Sequence, residues 1–215
     1  MAYLITHSLL SAWLYSMKEN PFDDATQEDA SREDFLRVLR REPTPTTDAM
    51  QNGIDFENLV TEICSSANPA SNPNGAFTDS AKNNPWFPAA FTVAEYVYGG
   101  QFQYVATKRV TVDGTELLLY GRLDALRAGG IYDIKFSKGY ERGKYFDSTQ
   151  HPMYMELVPT ADSFTYLVSN GTEVWTEKYR RDETPSIYPT VHHFLDWLKA
   201  NSLLQLYREH WGERK

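Results

Sequence analysis

The chain has 215 residues, 41% apolar and 14% aromatic, which is enough for a single domain with a substantial core. A formal net charge of −8 excludes indiscriminate adhesion to nucleic acid, because phosphate binding depends on Lys and Arg releasing counterions. One cysteine, Cys64, excludes an internal disulfide, a four-cysteine zinc site and an iron–sulfur cluster held by cysteines, and fits a reducing cytoplasm; no run reaches the roughly 20 apolar residues of a membrane span.

Leu9, Trp13 and Met17 recur at i, i+4 and i+8 and predict a short amphipathic helix over 8–18, with Ser8 as its cap. An acidic stretch from Glu19 to Asp34 follows. A helix is expected at about 31–41, then a Pro-rich loop, then a helix from Asp48 to Ser65 carrying Met50, Ile54, Leu59 and Ile63 on its apolar positions. These elements make an N-terminal helical part over about 1–66. From about 67 to 88, prolines, Asn and Ser predict a long irregular connection, either a surface loop or a lid over a site.

Beyond it the pattern predicts a helix near 88–98, strands over 103–112, 115–126 and 130–136, and a helix over 147–158. Strands over 163–169 and 173–181 and one long helix over 189–209 complete the chain. Asp113-Gly114, Gly129-Gly130 and Asn170-Gly171 are hairpin dipeptides. This order predicts one α/β domain spanning 1–215, with a mixed central sheet flanked by helices.

The hairpin at 121–138 carries charges among core-like residues. Side chains two apart on a strand share a face, so Asp133 and Lys135 point one way while Tyr132, Ile134 and Phe136 point the other. A two-residue turn at Ala128-Gly129 sets Asp124 opposite Asp133, and one at Gly129-Gly130 sets it opposite Lys135; either way the three charged groups share a face. Two carboxylates so placed repel unless a cation lies between them, and a hard divalent ion bound through carboxylates, waters and phosphate oxygens is the common solution. A surface ion-pair ladder is the plainer alternative, and the triplet alone does not decide between them. His192-His193 has only Asp196 at helical ligand spacing and reads as surface histidine.

Gly121-Arg122-Leu123-Asp124, then Asp133-Ile134-Lys135, then Gln150 and Tyr154 four apart, resemble the ordered motifs of the PD-(D/E)XK nuclease superfamily, closest to its RecB-type and lambda-exonuclease-like branch. Upstream, Gly53-Ile54-Asp55-Phe56-Glu57 is similar to the family's first motif, with Glu62 and Asp55 as nearby alternatives to Glu57. The N-terminal SLLSAWLYSM is similar to the branch's opening helix.

This resemblance implies a restriction-endonuclease-like core with a sheet of four or five strands. It also implies a metal-dependent DNase, most simply an exonuclease of DNA recombination or processing such as phages encode; an endonuclease, or a non-catalytic binding module on the same scaffold, are the alternatives. Asp124, Asp133, Glu57 and the backbone carbonyl of Ile134 would hold Mg²⁺ or Mn²⁺, without an iron–sulfur cluster. Lys135 would orient the attacking water, while Gln150 and Tyr154 position Lys135 or the DNA backbone. Arg122, Lys138, Arg142 and Lys144 are the expected phosphate contacts, with Tyr140 and Tyr145 stacking on bases and His151 lining the site. The implied partner is DNA, with a second copy of the chain or a recombination protein as further partners, in the cytoplasm of a bacterial host if the chain is phage-encoded.

Overall fold

The computed structural model describes residues 2–18, 25–66 and 77–213. Along the chain it forms β1 (Tyr3–Thr6), α1 (His7–Ser16), α2 (Ala25–Leu39), α3 (Asp48–Ser66), α4 (Asp79–Asn83) and α5 (Phe87–Val97). These are followed by β2 (Gln101–Val112), β3 (Thr115–Arg127), β4 (Gly130–Phe136), α6 (Gln150–Leu157), β5 (Ser163–Ser169), β6 (Val174–Arg180), α7 (Tyr188–Ala200) and α8 (Leu204–Trp211). The fold is α/β, and its six-stranded sheet runs β1-β3-β4-β5-β6 with β2 added on β3. Parallel pairs β1/β3 and β4/β5 alternate with antiparallel β2/β3, β3/β4 and β5/β6, so the sheet is mixed as expected.

Each face of the sheet buries a separate core. Leu117, Leu119, Leu123 and Ile131 pack with α1, α2, α6, α7 and α8, through residues such as Trp13, Phe35, Met153, Phe194 and Tyr207. Ala125, Ile134 and Leu167 pack on the opposite side with α3, α4 and α5, through Phe56, Val60, Ala81 and Val93. Tyr132, Ile134 and Phe136 all lie on this second side, as strand alternation predicts for β4.

The turns explain the registers. Asp113-Gly114 and Ala128-Gly129 each have two consecutive positive φ values (49° and 72°, 46° and 76°), the geometry that continues the twist of its flanking strands. Of the two registers open at the β3–β4 hairpin, the turn at Ala128-Gly129 is formed, pairing Arg127 with Gly130.

Several expectations change. The sheet has six strands rather than four or five, Thr6 rather than Ser8 caps α1 by accepting the Leu9 N–H at 3.2 Å, and the helix expected at 31–41 is Ala25–Leu39. Strand β1 stands before the first helix, too short to give a periodic signal. The connection expected over 67–88 contains α4, capped by Thr78 Oγ1 on the Ala81 N–H at 3.0 Å; residues 67–76 lie outside the described residues. The single helix expected at 189–209 is two, α7 and α8. Ser202 (φ 59°) ends α7 in a left-handed cap, with its N–H on Lys199 O at 3.1 Å and Leu203 N–H on Leu198 O at 2.8 Å. The break turns α8 so that Tyr207 becomes fully buried and its hydroxyl donates to Leu4 O at 3.0 Å.

Candidate active site

β2 pairs along one edge of β3, but the other edge is divided. Parallel β1 covers Leu117–Tyr120 and antiparallel β4 covers Ala125–Arg127, so Gly121–Asp124 have no strand partner on that side. The slot left between β1 and β4 is a pocket of about 330 Å³. Thr6, His7 and Ser8 close it at the β1–α1 junction, Gly121, Arg122 and Asp124 form its floor, Asp133 and Lys135 project from β4, Gln150 and Tyr154 come from α6, and Glu57 reaches in from α3. All the residues expected to be catalytic or metal-binding therefore meet in one place.

Local packing sets each side chain. A Cβ on Gly121 would lie 2.6 Å from Tyr154 Cε1 and 2.8 Å from Leu157 Cδ1, so glycine is what allows α6 to approach the sheet. Tyr154 is buried, and its hydroxyl donates to Arg122 O at 3.1 Å. Asp124 Oδ2 accepts the Ile134 N–H at 2.8 Å, a side chain substituting for the strand ladder where the ladder ends. Gln150 Nε2 donates to Asp133 Oδ1. Lys135 Nζ lies 2.7 Å from Asp133 Oδ2, an ion pair that covers this buried oxygen. Gln150 and Tyr154 thus hold the acidic strands in position, rather than Lys135.

The electrostatics follow from burial. Asp124 is pushed up to about 8, first by burial and then by the charges of Asp133 and Glu57. Burial also raises Glu57, opposed by Arg122. Desolvation works against the Lys135 ammonium, but the charge and hydrogen bonding of Asp133 outweigh it and leave its pKa above the ordinary lysine value. His7 falls to about 4 through burial and the neighbouring Lys135, so it is a neutral imidazole at pH 7. Three carboxylates crowd Lys135 and Arg122 in the pocket, and the proton held by Asp124 relieves their mutual repulsion.

The oxygen donors of Asp124, Asp133 and Glu57 suit a hard cation such as Mg²⁺ or Mn²⁺. As they stand, the three carboxylates do not close to the spacing of a formed cluster. Among the described residues, only Asp113, His192 and Asp196 have three ligand atoms within 4.8 Å of one another. There His192 Nδ1 meets Asp113, from the β2–β3 turn, and Nε2 lies 3.3 Å from Asp196 Oδ2. The three are exposed, and their spacing could hold a metal ion at the surface; Asp113 was invisible to spacing because it is 79 residues from His192.

Of the alternatives to Glu57, Asp55 is engaged by Gln51 at 2.8 Å and Glu62 by Thr78 at 2.6 Å, and neither lines the pocket. Lys138, Arg142 and Lys144 are exposed on the segment joining β4 to α6, among the acids Glu141 and Asp147. Tyr140 and Tyr145 are not free stacking surfaces. Tyr140 stacks on Trp175 and donates to Glu177 at 2.6 Å, and Tyr145 stacks on Tyr166 with ring centroids 4.2 Å apart. The open aromatic of this segment is Phe146, 73% exposed. His151 also departs from expectation: it is buried against Tyr179 in a parallel stack at 4.0 Å, and does not line the pocket. Sequence reasoning missed His7, which follows a four-residue strand and carries no motif of its own, and Gln103, whose amide donates to Glu57.

No family model matches the chain, and no curated protein does. A solved structure described as "Crystal structure of SSO0001" superposes with a TM-score of 0.53 at 11% identity, covering 93% of this chain and 77% of that one. At this identity the likeness concerns the fold alone. No helix among the described residues is long and apolar enough to cross a membrane.

Proposed function

We propose that the chain is a Mg²⁺- or Mn²⁺-dependent deoxyribonuclease with a restriction-endonuclease-like core, acting as an exonuclease on DNA ends. The observation that carries this reading is the buried Asp133, ion-paired with Lys135 at 2.7 Å, in a pocket that also holds Asp124 and Glu57. Asp124, Asp133 and Glu57, with the Ile134 carbonyl, are the groups that would hold the cation. When bound, it would polarise a phosphate and lower the pKa of a water into the neutral range.

The chain's own residues account for the rest. Lys135, kept protonated by Asp133, presents an ammonium for the negative charge that develops on a phosphate or for orienting a water. Gln150 fixes Asp133 through Oδ1, and Lys135 lies against Oδ2. Arg122 is exposed at the pocket floor, and Lys138, Arg142 and Lys144, exposed on the β4–α6 segment, are the other groups that would contact the phosphate backbone. Phe146 supplies the exposed ring on that segment.

One observation favours a second reading. The carboxylates do not form a tight cluster, which suits a module that binds nucleic acid or protein on the same scaffold without cleaving. Incubation of linear and closed circular DNA with Mg²⁺ or Mn²⁺ separates the possibilities. The exonuclease reading predicts degradation of linear DNA alone, lost in Asp133→Ala and Lys135→Ala. Cleavage of circles assigns an endonuclease, and no cleavage with wild-type chain assigns the module.

A further inference from the structure

Gln103, the third residue of β2, has φ of 51°, a left-handed backbone that non-glycine side chains disfavour. Phe102↔Ala125 and Tyr104↔Leu123 keep one register on either side of it, so no residue is inserted as a bulge would require. The conformation changes facing instead. Phe102 packs on the core beneath α3–α5, whereas Ala106 and Val110 pack on the opposite core. β3 reverses at the opposing position: Leu123 faces one core, Ala125 the other, and Asp124 lies between. The matched reversal brings Gln103 to the α3 side, where Nε2 donates to Glu57 Oε1, and the described residues give that carboxylate no second hydrogen bond.

Building on the metal reading of this pocket, we infer that Gln103 is a positioning residue, held in a strained backbone so that its amide fixes the Glu57 carboxylate toward a divalent cation. The reversal lets Phe102 pack on the α3–α5 core, but Gln103 itself is exposed between neighbours Tyr104 and Val105 that are 39% and 51% exposed, so the one contact its own side chain gains among the described residues is the Glu57 carboxylate. The strained φ and the contact with Glu57 are separate observations on one residue, and Glu57 is the group that lines the pocket.

Two variants separate positioning from folding. Gln103→Gly relieves the backbone and removes the amide; Gln103→Leu keeps the bulk without a donor. Each full-length chain is melted in EDTA and then titrated with Mn²⁺ by calorimetry. Gln103→Gly is expected to melt about 2–4 °C above wild type and to bind Mn²⁺ about tenfold more weakly, so that stability and affinity move in opposite directions. Gln103→Leu is expected to show the same loss of affinity. Wild-type Mn²⁺ affinity in both variants overturns the inference while leaving the metal reading intact, and a Gln103→Gly chain that melts below wild type overturns it by making the residue structural. A wild-type chain that takes up no Mn²⁺ overturns the metal reading and this inference with it.

Discussion

Asp133 and Glu177 are both buried carboxylates of one sheet, two strands apart, and their surroundings are opposite. Glu177 accepts from the hydroxyls of Tyr140 and Tyr179 and from the N–H groups of Gly143 and Tyr145, each N–H at 3.2 Å. These bonds outweigh burial and hold its pKa below the usual range. Asp133 has an amide on one oxygen and the Lys135 ammonium on the other, and it faces two more acids. Glu177 is satisfied and pins the β4–α6 segment to β6. Asp133 has two partners where Glu177 has four, and it faces two further carboxylates in the slot that divides the β3 edge, which is how a site differs from a support.

The largest test of this contrast is function against stability. Asp133→Asn is expected to lower DNA cleavage on the order of 10³-fold, and its thermal midpoint should not fall, because it removes repulsion with Asp124 and Glu57. Glu177→Ala should do the reverse. It strands two hydroxyls and two N–H groups, which costs about 3 kcal/mol and lowers the midpoint by roughly 6–12 °C. Mn²⁺ affinity at the pocket, read by calorimetry below that midpoint, should stay at the wild-type level.

The pH dependence sharpens the comparison. Asp124 is raised from 3.8 to about 8 in the folded, metal-free chain, so folding takes up a proton in that window. The resulting stability is fully present below about pH 4 and is lost as pH rises through about 8. In EDTA, the wild-type melting temperature should therefore drop between pH 5 and pH 8.5, and Asp124→Asn should remove that component of the drop. A slope unchanged in the variant would show that Asp124 is not the group titrating.

Smaller effects follow from packing and surface. Gly121→Ala should destabilise by about 1–3 kcal/mol, because its methyl meets the Tyr154 ring, and calorimetric melts measure the loss directly. Phe146→Ala should leave stability within about 0.5 kcal/mol and weaken binding of single-stranded DNA by roughly five- to tenfold. Fluorescence anisotropy in Ca²⁺ with an Asp133→Asn background reads that binding without cleavage.

Local signals carried much of the architecture. The strands and their hairpins were readable because alternation and Gly-containing turns act over a few residues, and β4 and β5 fall where the pattern puts them. Asp124, Asp133, Lys135, Gln150 and Tyr154 were readable because they lie within one hairpin and the next helix. Glu57 was ambiguous in sequence, since helix α3 also offers Asp55 and Glu62, and only packing against the sheet selects it. Tyr140 and Tyr145 looked available because Glu177, Trp175 and Tyr166, which occupy them, arrive from later strands. His7 and Gln103 depend on the division of the β3 edge and on a backbone reversal, neither of which leaves a pattern in composition or spacing.

The most direct measurement is an anomalous difference map from a crystal of the chain soaked in Mn²⁺. The account predicts a peak in the slot between β1 and β4, within coordination distance of Asp124 and Asp133 and approached by Glu57. A peak confined to Asp113, His192 and Asp196, or no peak at all, would contradict it.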